Sequence, residues 1–337
     1  MNAEAEFVPA KRIYKSQGLH PDLVRRSSRV SFSYDSGAVE VAYMVNKNGQ
    51  VSDVRVLKST QEKFEKHAIE LVRNYTFDPA QLGSIPTSSI VRETIVFLLD
   101  RSKIANTNWF HSNDGDSQDD RVSGLLAVFH EYVSDQDQAQ AETVLVSMRN
   151  IRSRSFDRLV QMELAQLLFS EVFNEPQLRF DSLQTLDWLQ RLDYEGKKDL
   201  DAQTRLVIRV NLLTELINRS RYVEAIELYE TMSKEEQVIR KFVSAVEEIQ
   251  QIQKSADPIQ QTVLISDSGD GHHRLFKRSF SVELESGNLD QIELRCDTKF
   301  TRMEFEPDKM YAVPKRWGDC LLSLLGAPGT KGTLLEQ

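Results

Sequence analysis

The sequence predicts a multi-domain α+β protein. It divides into an α+β domain over residues 1–101, a linker over 102–120, an all-α domain of helical hairpins over 121–256 and a small antiparallel β domain over 257–337. Three observations predict this order. Between residues 39 and 57, β-favouring residues alternate with others on either side of an Asn-Gly pair. Over 121–255 the apolar period becomes helical, and after 257 short alternating runs return between Gly and Asn turns. At 337 residues the chain is long enough for two or three cores of its own.

The first domain is organised around the run VEVAYMVNKNGQVSDVRVLKST. Val39, Val41, Tyr43 and Val45 alternate with Glu40, Ala42 and Met44; Asn48-Gly49 follows, then Val51, Val54, Val56 and Leu57. Period-2 alternation broken by Asn-Gly predicts a hairpin, because both turn residues tolerate the positive φ that such turns need. Phe64, Ala68, Leu71, Val72 and Tyr75 recur three or four apart and predict a helix, which Asp78-Pro79 stops. A third β run covers 90–99. Earlier in the chain, residues 30–34 alternate and predict a short strand.

The order strand, Asn-Gly turn, strand, helix, strand, together with Tyr75-Thr76-Phe77-Asp78-Pro79-Ala80, resembles the C-terminal domain of TonB-type energy transducers. In that family a hydrophobic strand leads to Gly-x-Val, a strand ending in Lys-Ser, a helix with a central Ala and an aromatic-x-Phe-x-Pro-Ala run. The Tyr-Pro pair that precedes the family's first strand is absent or dispersed here, where the region reads Ile13-Tyr14-Lys15 and later His20-Pro21-Asp22-Leu23. The resemblance covers about a quarter of the chain. It implies binding of an extended receptor segment by strand addition, in which main-chain hydrogen bonds give affinity and alternate side chains give specificity. The strand expected to serve is formed by Val91, Arg92, Glu93, Thr94, Ile95, Val96 and Phe97. The implied partners are proteins, an outer-membrane receptor or a component of the TonB system. The implied location is the periplasm of a Gram-negative bacterium, with the signal peptide outside this sequence. Energy transduction also needs a membrane helix and a Pro-rich spacer, and neither occurs before Val39.

The linker holds Asn113-Asp114-Gly115-Asp116-Ser117-Gln118-Asp119-Asp120. This lacks the Asp-x-Asp-x-Asp-Gly order of a calcium loop and reads as solvated chain. About seven helices follow, one of them stopped by Tyr194-Glu195-Gly196. Leu212-Leu213-x-x-Leu216 followed by Arg221-Tyr222-x-Glu224-Ala225-Ile226-x-Leu228-Tyr229 resembles one tetratricopeptide hairpin, in which a small residue such as Ala225 lets two helices approach. A solenoid of degenerate hairpins is the expectation and a plain bundle the alternative.

In the last domain, alternating runs over 261–266, 274–283, 292–296 and 301–305 predict a small antiparallel sheet or sandwich, and the stretch from Pro314 to Gly329 reads as a closing strand that ends in a turn. Cys296 and Cys320 are the only cysteines. Given the resemblance, a disulfide tying two β segments is expected; two buried free thiols are the alternative.

Twenty-five acidic against 17 basic residues lie between Asp119 and Asp257, so the negative charge sits on the helices. That balance argues against sequence-independent nucleic-acid binding. No apolar run is long enough to cross a bilayer. The chain shows no G-x-S-x-G, H-E-x-x-H, phosphate loop or dinucleotide fingerprint. No catalytic, cofactor-binding or metal-binding residues are therefore assigned. His272-His273 beside Asp267 and Asp270 reads as an exposed turn rather than a surface metal site. The function expected is a non-catalytic protein-interaction protein, accessory to TonB-dependent transport. An envelope adaptor that reuses the fold is the alternative. A hydrolase using His272 or His273 is the third reading.

Overall fold

In the computed structural model, residues 7–13, 23–25, 36–98, 114–151, 156–192, 199–232, 240–267 and 269–337 are described. The strand expected over 30–34, most of the expected linker and the helix stop at Gly196 lie outside them.

The first unit runs β1 (Phe7–Val8), β2 (Lys11–Arg12), β3 (Leu23–Arg25), β4 (Gly37–Val45), β5 (Val51–Ser59), α1 (Glu65–Arg73), β6 (Phe77–Asp78), β7 (Ala80–Leu82), β8 (Ile85–Thr87) and β9 (Ser89–Leu98). The main sheet has the order β3-β9-β4-β5. Its turn closes as the sequence suggests: Asn46 Oδ1 accepts from the backbone N–H groups of Asn48 and Gln50 at 2.9 and 3.1 Å. Gly49 takes φ 76°, and a Cβ there would stand 1.9 Å from the Phe77 carbonyl oxygen. Phe77 N–H donates to the Gly49 carbonyl at 2.9 Å. That bond explains why the helix ends at Arg73, ahead of Asp78-Pro79: the chain must extend to reach the turn. Val39, Val41, Tyr43 and Val45 pack on Phe64, Ala68 and Val72 from the α1 side.

The helices are α2 (Asp114–Ser134), α3 (Gln138–Arg149), α4 (Phe156–Val172), α5 (Pro176–Arg191), α6 (Ala202–Asn218), α7 (Tyr222–Thr231) and α8 (Arg240–Lys254). α2 starts within the stretch read as linker. Short acidic residues that favour turns also suit a helix's first turn, where the backbone N–H groups and the dipole attract negative charge. Three helix pairs share one turn geometry. Gln136, Asn174 and Ser220 each take φ of 55–58°, and the next residue's N–H returns to a carbonyl five residues back, at 2.8–2.9 Å. This is the Schellman arrangement, which satisfies carbonyls the helix end leaves open. One core joins α2, α3 and α4 around Phe129, Leu145 and Phe169. A second joins α5 to α8 around Leu183, Leu213 and Phe242, and extends to Ile259 and Phe276 of the next unit.

That unit contains β10 (Ile259–Leu264), β11 (Asp270–Arg274), β12 (Ser279–Ser286), β13 (Leu289–Cys296), β14 (Phe300–Glu304), β15 (Tyr311–Ala312), β16 (Cys320–Gly326) and β17 (Lys331–Glu336). Two four-stranded antiparallel sheets, β10-β17-β12-β15 and β11-β16-β13-β14, enclose a core of Phe280, Ile292, Leu322 and Leu334. Cys296 and Cys320 form a disulfide between directly opposed residues of β13 and β16. β17 was not foreseen. It centres the first sheet, and its buried Glu336 carboxylate accepts from Gln261 Nε2, from the Phe276 and Lys277 N–H groups, and contacts His273 Nε2 at 3.1 Å. The expectation that His272-His273 forms an exposed turn is corrected. Both lie in β11 paired to β16, with His273 buried. The turn is confined to the residues before Asp270, and Glu336 draws His273 inward.

Candidate functional site

The expected interaction strand is β9, which pairs with β4 along its length. Strand periodicity sends Val91, Glu93, Ile95 and Phe97 to the α1 side and Arg92, Thr94 and Val96 to the other. On the α1 side, Tyr43 O–H donates to Glu93 Oε1 at 2.6 Å and Arg12 Nη1 to Glu93 Oε2 at 2.8 Å. Burial, reinforced by the Glu93 charge and hydrogen bond, drives the Tyr43 phenol far above its usual range. Ile95 and Phe97 are buried, and Phe97 stacks on Phe64 with ring centroids 4.9 Å apart. On the other side Arg92 pairs with Glu40 at 2.9 Å, and Trp188 Nε1 donates to Thr94 Oγ1 at 3.2 Å. β3 pairs in parallel with Val96, Phe97 and Leu98. The side chains of β9 are thus largely committed within the protein. Among the described residues, β3 is the strand paired to this side of β9, over 96–98.

The sheet face opposite α1 is where the three units meet. At one end Ala38 and Val96 share a cluster with Phe156, Leu159, Trp188, Leu189 and Leu192 of the helices. Lys58 stands 5.2 Å from the Trp188 ring, and burial lowers its ammonium to about 8 against the opposing pull of Glu40, Glu163 and Asp181. At the other end the buried Glu293 carboxylate of β13 takes two bonds from Arg55 of β5, at 3.1 and 3.3 Å. It is also paired with Arg295 at 2.5 Å and accepts from Arg302 Nε at 2.7 Å. Burial alone would raise this carboxyl, but the Arg55 hydrogen bonds and the charges of Arg295 and Arg55 hold it at about 2. A bulge in β5 sets Asp53 and Val54 opposite Tyr43, with Asp53 at φ 50°. The bulge aims the Asp53 carbonyl at Arg295, whose Nη2 donates to it at 3.3 Å. Between the two junctions lies a cleft of about 1410 Å³, with walls from β5, β9, α5, α6, α7 and β11.

Sequence reasoning missed Arg55, Trp188, Glu293 and Arg295. The one local sign was the Glu293–Arg295 pair at i,i+2 within an apolar strand, which puts both charges on one sheet face. His272 and His273, the residues of the hydrolase reading, have structural partners: His272 Nδ1 lies 3.0 Å from Ser323 Oγ, and His273 contacts Glu336.

This geometry has a known counterpart for one part of the chain. Residues 34–99 match the family described as the Gram-negative bacterial TonB protein C-terminal. The match spans the hairpin, α1 and β9, and supports a TonB-type C-terminal domain at residues 34–99. No curated protein matches the chain. Among the described residues, no helix is long and apolar enough to cross a membrane.

Proposed function

We propose that this chain is a non-catalytic protein-interaction protein of the Gram-negative periplasm, accessory to TonB-dependent outer-membrane transport. The observation that carries the reading is the match of residues 34–99 to the TonB C-terminal family; among the described residues β3 lies along β9 only at 96–98, and the stretch before it is the proposed contact. An outer-membrane receptor or a TonB-system component adds an extended segment there, through main-chain hydrogen bonds. The helical hairpins, read as degenerate tetratricopeptide-like repeats, offer a second surface for another protein. The test is calorimetric titration of the full chain with N-terminal peptides of TonB-dependent receptors, followed by amide exchange. Binding with new protection over 91–95 supports the proposal. Absence of binding at millimolar peptide sinks it.

A second reading has its own observation. β3 already occupies the β9 edge at 96–98, and the face opposite α1 is joined to the other two units. Both features suit an envelope adaptor in which the TonB-type domain is a rigid structural block. Fold alone does not decide between these uses. The same titration separates them, since the adaptor has no affinity for receptor peptides.

A further inference from the structure

β5 is the other outer strand of the main sheet, and it borders the cleft. Every residue from 54 to 59 lines that cleft. β5 is bulged at Leu57, and the lining draws on both of its faces: Val54 and Val56 pack with the α1-side core while Arg55 and Lys58 reach Glu293 and Trp188 on the other side, so the cleft follows the strand's edge. The same holds on the facing wall, where β11, the outer strand of its own sheet, contributes every residue from 270 to 274. Two strand edges from different sheets therefore border one recess. Its volume, about 1410 Å³, exceeds the roughly 300–1,000 Å³ of small-molecule sites. A folded domain does not enter such a recess; an extended chain does. Six residues of β5 at about 3.3 Å each offer roughly 20 Å of backbone.

The charge of the recess selects the occupant. Glu62 just ahead of α1, Glu65 at its start, Asp267 in the turn before β11 and Asp270 at the strand's first position line it. Burial and the neighbouring Glu62 push the Glu65 carboxyl up, a hydrogen bond from Ser59 opposes them, and Asp270 adds a smaller push in the same direction as Glu62. Carboxylates that repel one another in this way are relieved by a cation. Most basic side chains of the cleft are engaged, Arg55 with Glu293, Arg92 with Glu40, Arg191 with Asp187, Arg221 with Glu224 and Arg274 with Glu227, while Lys58 lies over the Trp188 ring with its ammonium lowered by burial.

We infer that the cleft-facing edge of β5, over residues 54–59, is a strand-addition site for an extended polypeptide segment of a partner protein carrying Lys or Arg. This site lies on the opposite side of the sheet from the β9 edge and does not depend on the TonB-system reading. The backbone of the incoming segment pairs with β5, and its basic side chains reach the carboxylates of Glu62, Glu65 and Asp267.

The probe is a capped ten-residue peptide of alternating Lys and Val carrying one benzophenone, titrated into the full chain by fluorescence anisotropy and then photo-crosslinked. Three controls accompany it: the Glu-Val counterpart, a copy N-methylated at alternate residues, and the protein variant Glu62→Lys/Glu65→Lys. The inference expects crosslinks within 54–59 or 270–274. It also expects at least tenfold weaker binding for each of the three controls. Crosslinks confined to β9 or the helices, unchanged affinity of the N-methylated copy, or no binding of the Lys-Val peptide at 1 mM would overturn it.

Discussion

Replacing Glu293 by Gln removes the charge on which Arg55, Arg295 and Arg302 converge, and tests whether the TonB-type unit is fastened to the β sandwich. The carboxyl is held at about 2 against an ordinary value of 4.5. Each unit corresponds to about 1.4 kcal/mol, so the native surroundings favour the carboxylate by about 3 kcal/mol. Breaking a buried ion pair from one side typically costs about 3–5 kcal/mol, the same order. The variant is expected to lose about 3 kcal/mol in urea unfolding at pH 7, followed by circular dichroism. The dependence on pH has a definite sign. Because the native carboxyl titrates below the unfolded one, the unfolded chain binds the extra proton between about 4.5 and 2. The stabilisation is whole above about 4.5 and disappears as pH falls through about 2, so wild type and Glu293→Gln converge in acid. A double-mutant cycle with Arg55→Met adds the direct test, with a coupling energy above about 1 kcal/mol expected for a contacting pair. Additive losses, or a loss under about 1 kcal/mol at pH 7, would refute the reasoning.

Other perturbations follow from the same structure. Reduction of Cys296–Cys320, which are 24 residues apart, is expected to cost about 3.5 kcal/mol by the loop-entropy relation. Alkylation without reductant should label neither cysteine, and labelling of both in native protein would contradict the bridge. Gly49→Ala meets the Phe77 carbonyl as well as an unfavourable φ, whereas Gly329, at φ 77°, has open space around it. Gly329→Ala should lose only about 1–2 kcal/mol, the left-handed penalty, and Gly49→Ala distinctly more; equal losses in thermal unfolding would count against the turn–Phe77 contact. Trp188→Phe removes the donor to Thr94 Oγ1 while keeping an aromatic ring. A loss of about 1 kcal/mol is expected, with faster amide exchange in β9; unchanged exchange there would deny that the helices hold this strand.

What could be read from the sequence was what neighbouring residues decide. Alternation over 39–45 and the Asn-Gly pair specify the hairpin locally, and Phe77 follows because a glycine turn must accept a backbone close by. The helix hairpins were visible in their apolar period. The interdomain junctions were not, because Arg55 and Glu293 are 238 residues apart and Thr94 and Trp188 are 94 apart. A charged residue on a strand reads as solvated until its partner is known. Strand β17 was hidden for a related reason. Lys331 and Gly332 have weak strand preference, yet Gly332 is needed because a Cβ there would stand 2.6 Å from the Glu283 carbonyl oxygen. His272 and His273 sit close to Gly269 and Gly271, so composition suggested a turn. Pairing with β16, far along the chain, makes them a strand, and Glu336 turns His273 inward.

The central claim is that the TonB-type unit binds an extended segment from the transport machinery of the envelope. It is tested most directly by affinity capture from cross-linked envelopes with the tagged full chain as bait, with and without an excess of synthetic receptor N-terminal peptide. The account predicts recovery of TonB-dependent receptors or inner-membrane transducer components, abolished by the competing peptide. Recovery of neither, or recovery that the peptide leaves unchanged, would contradict it.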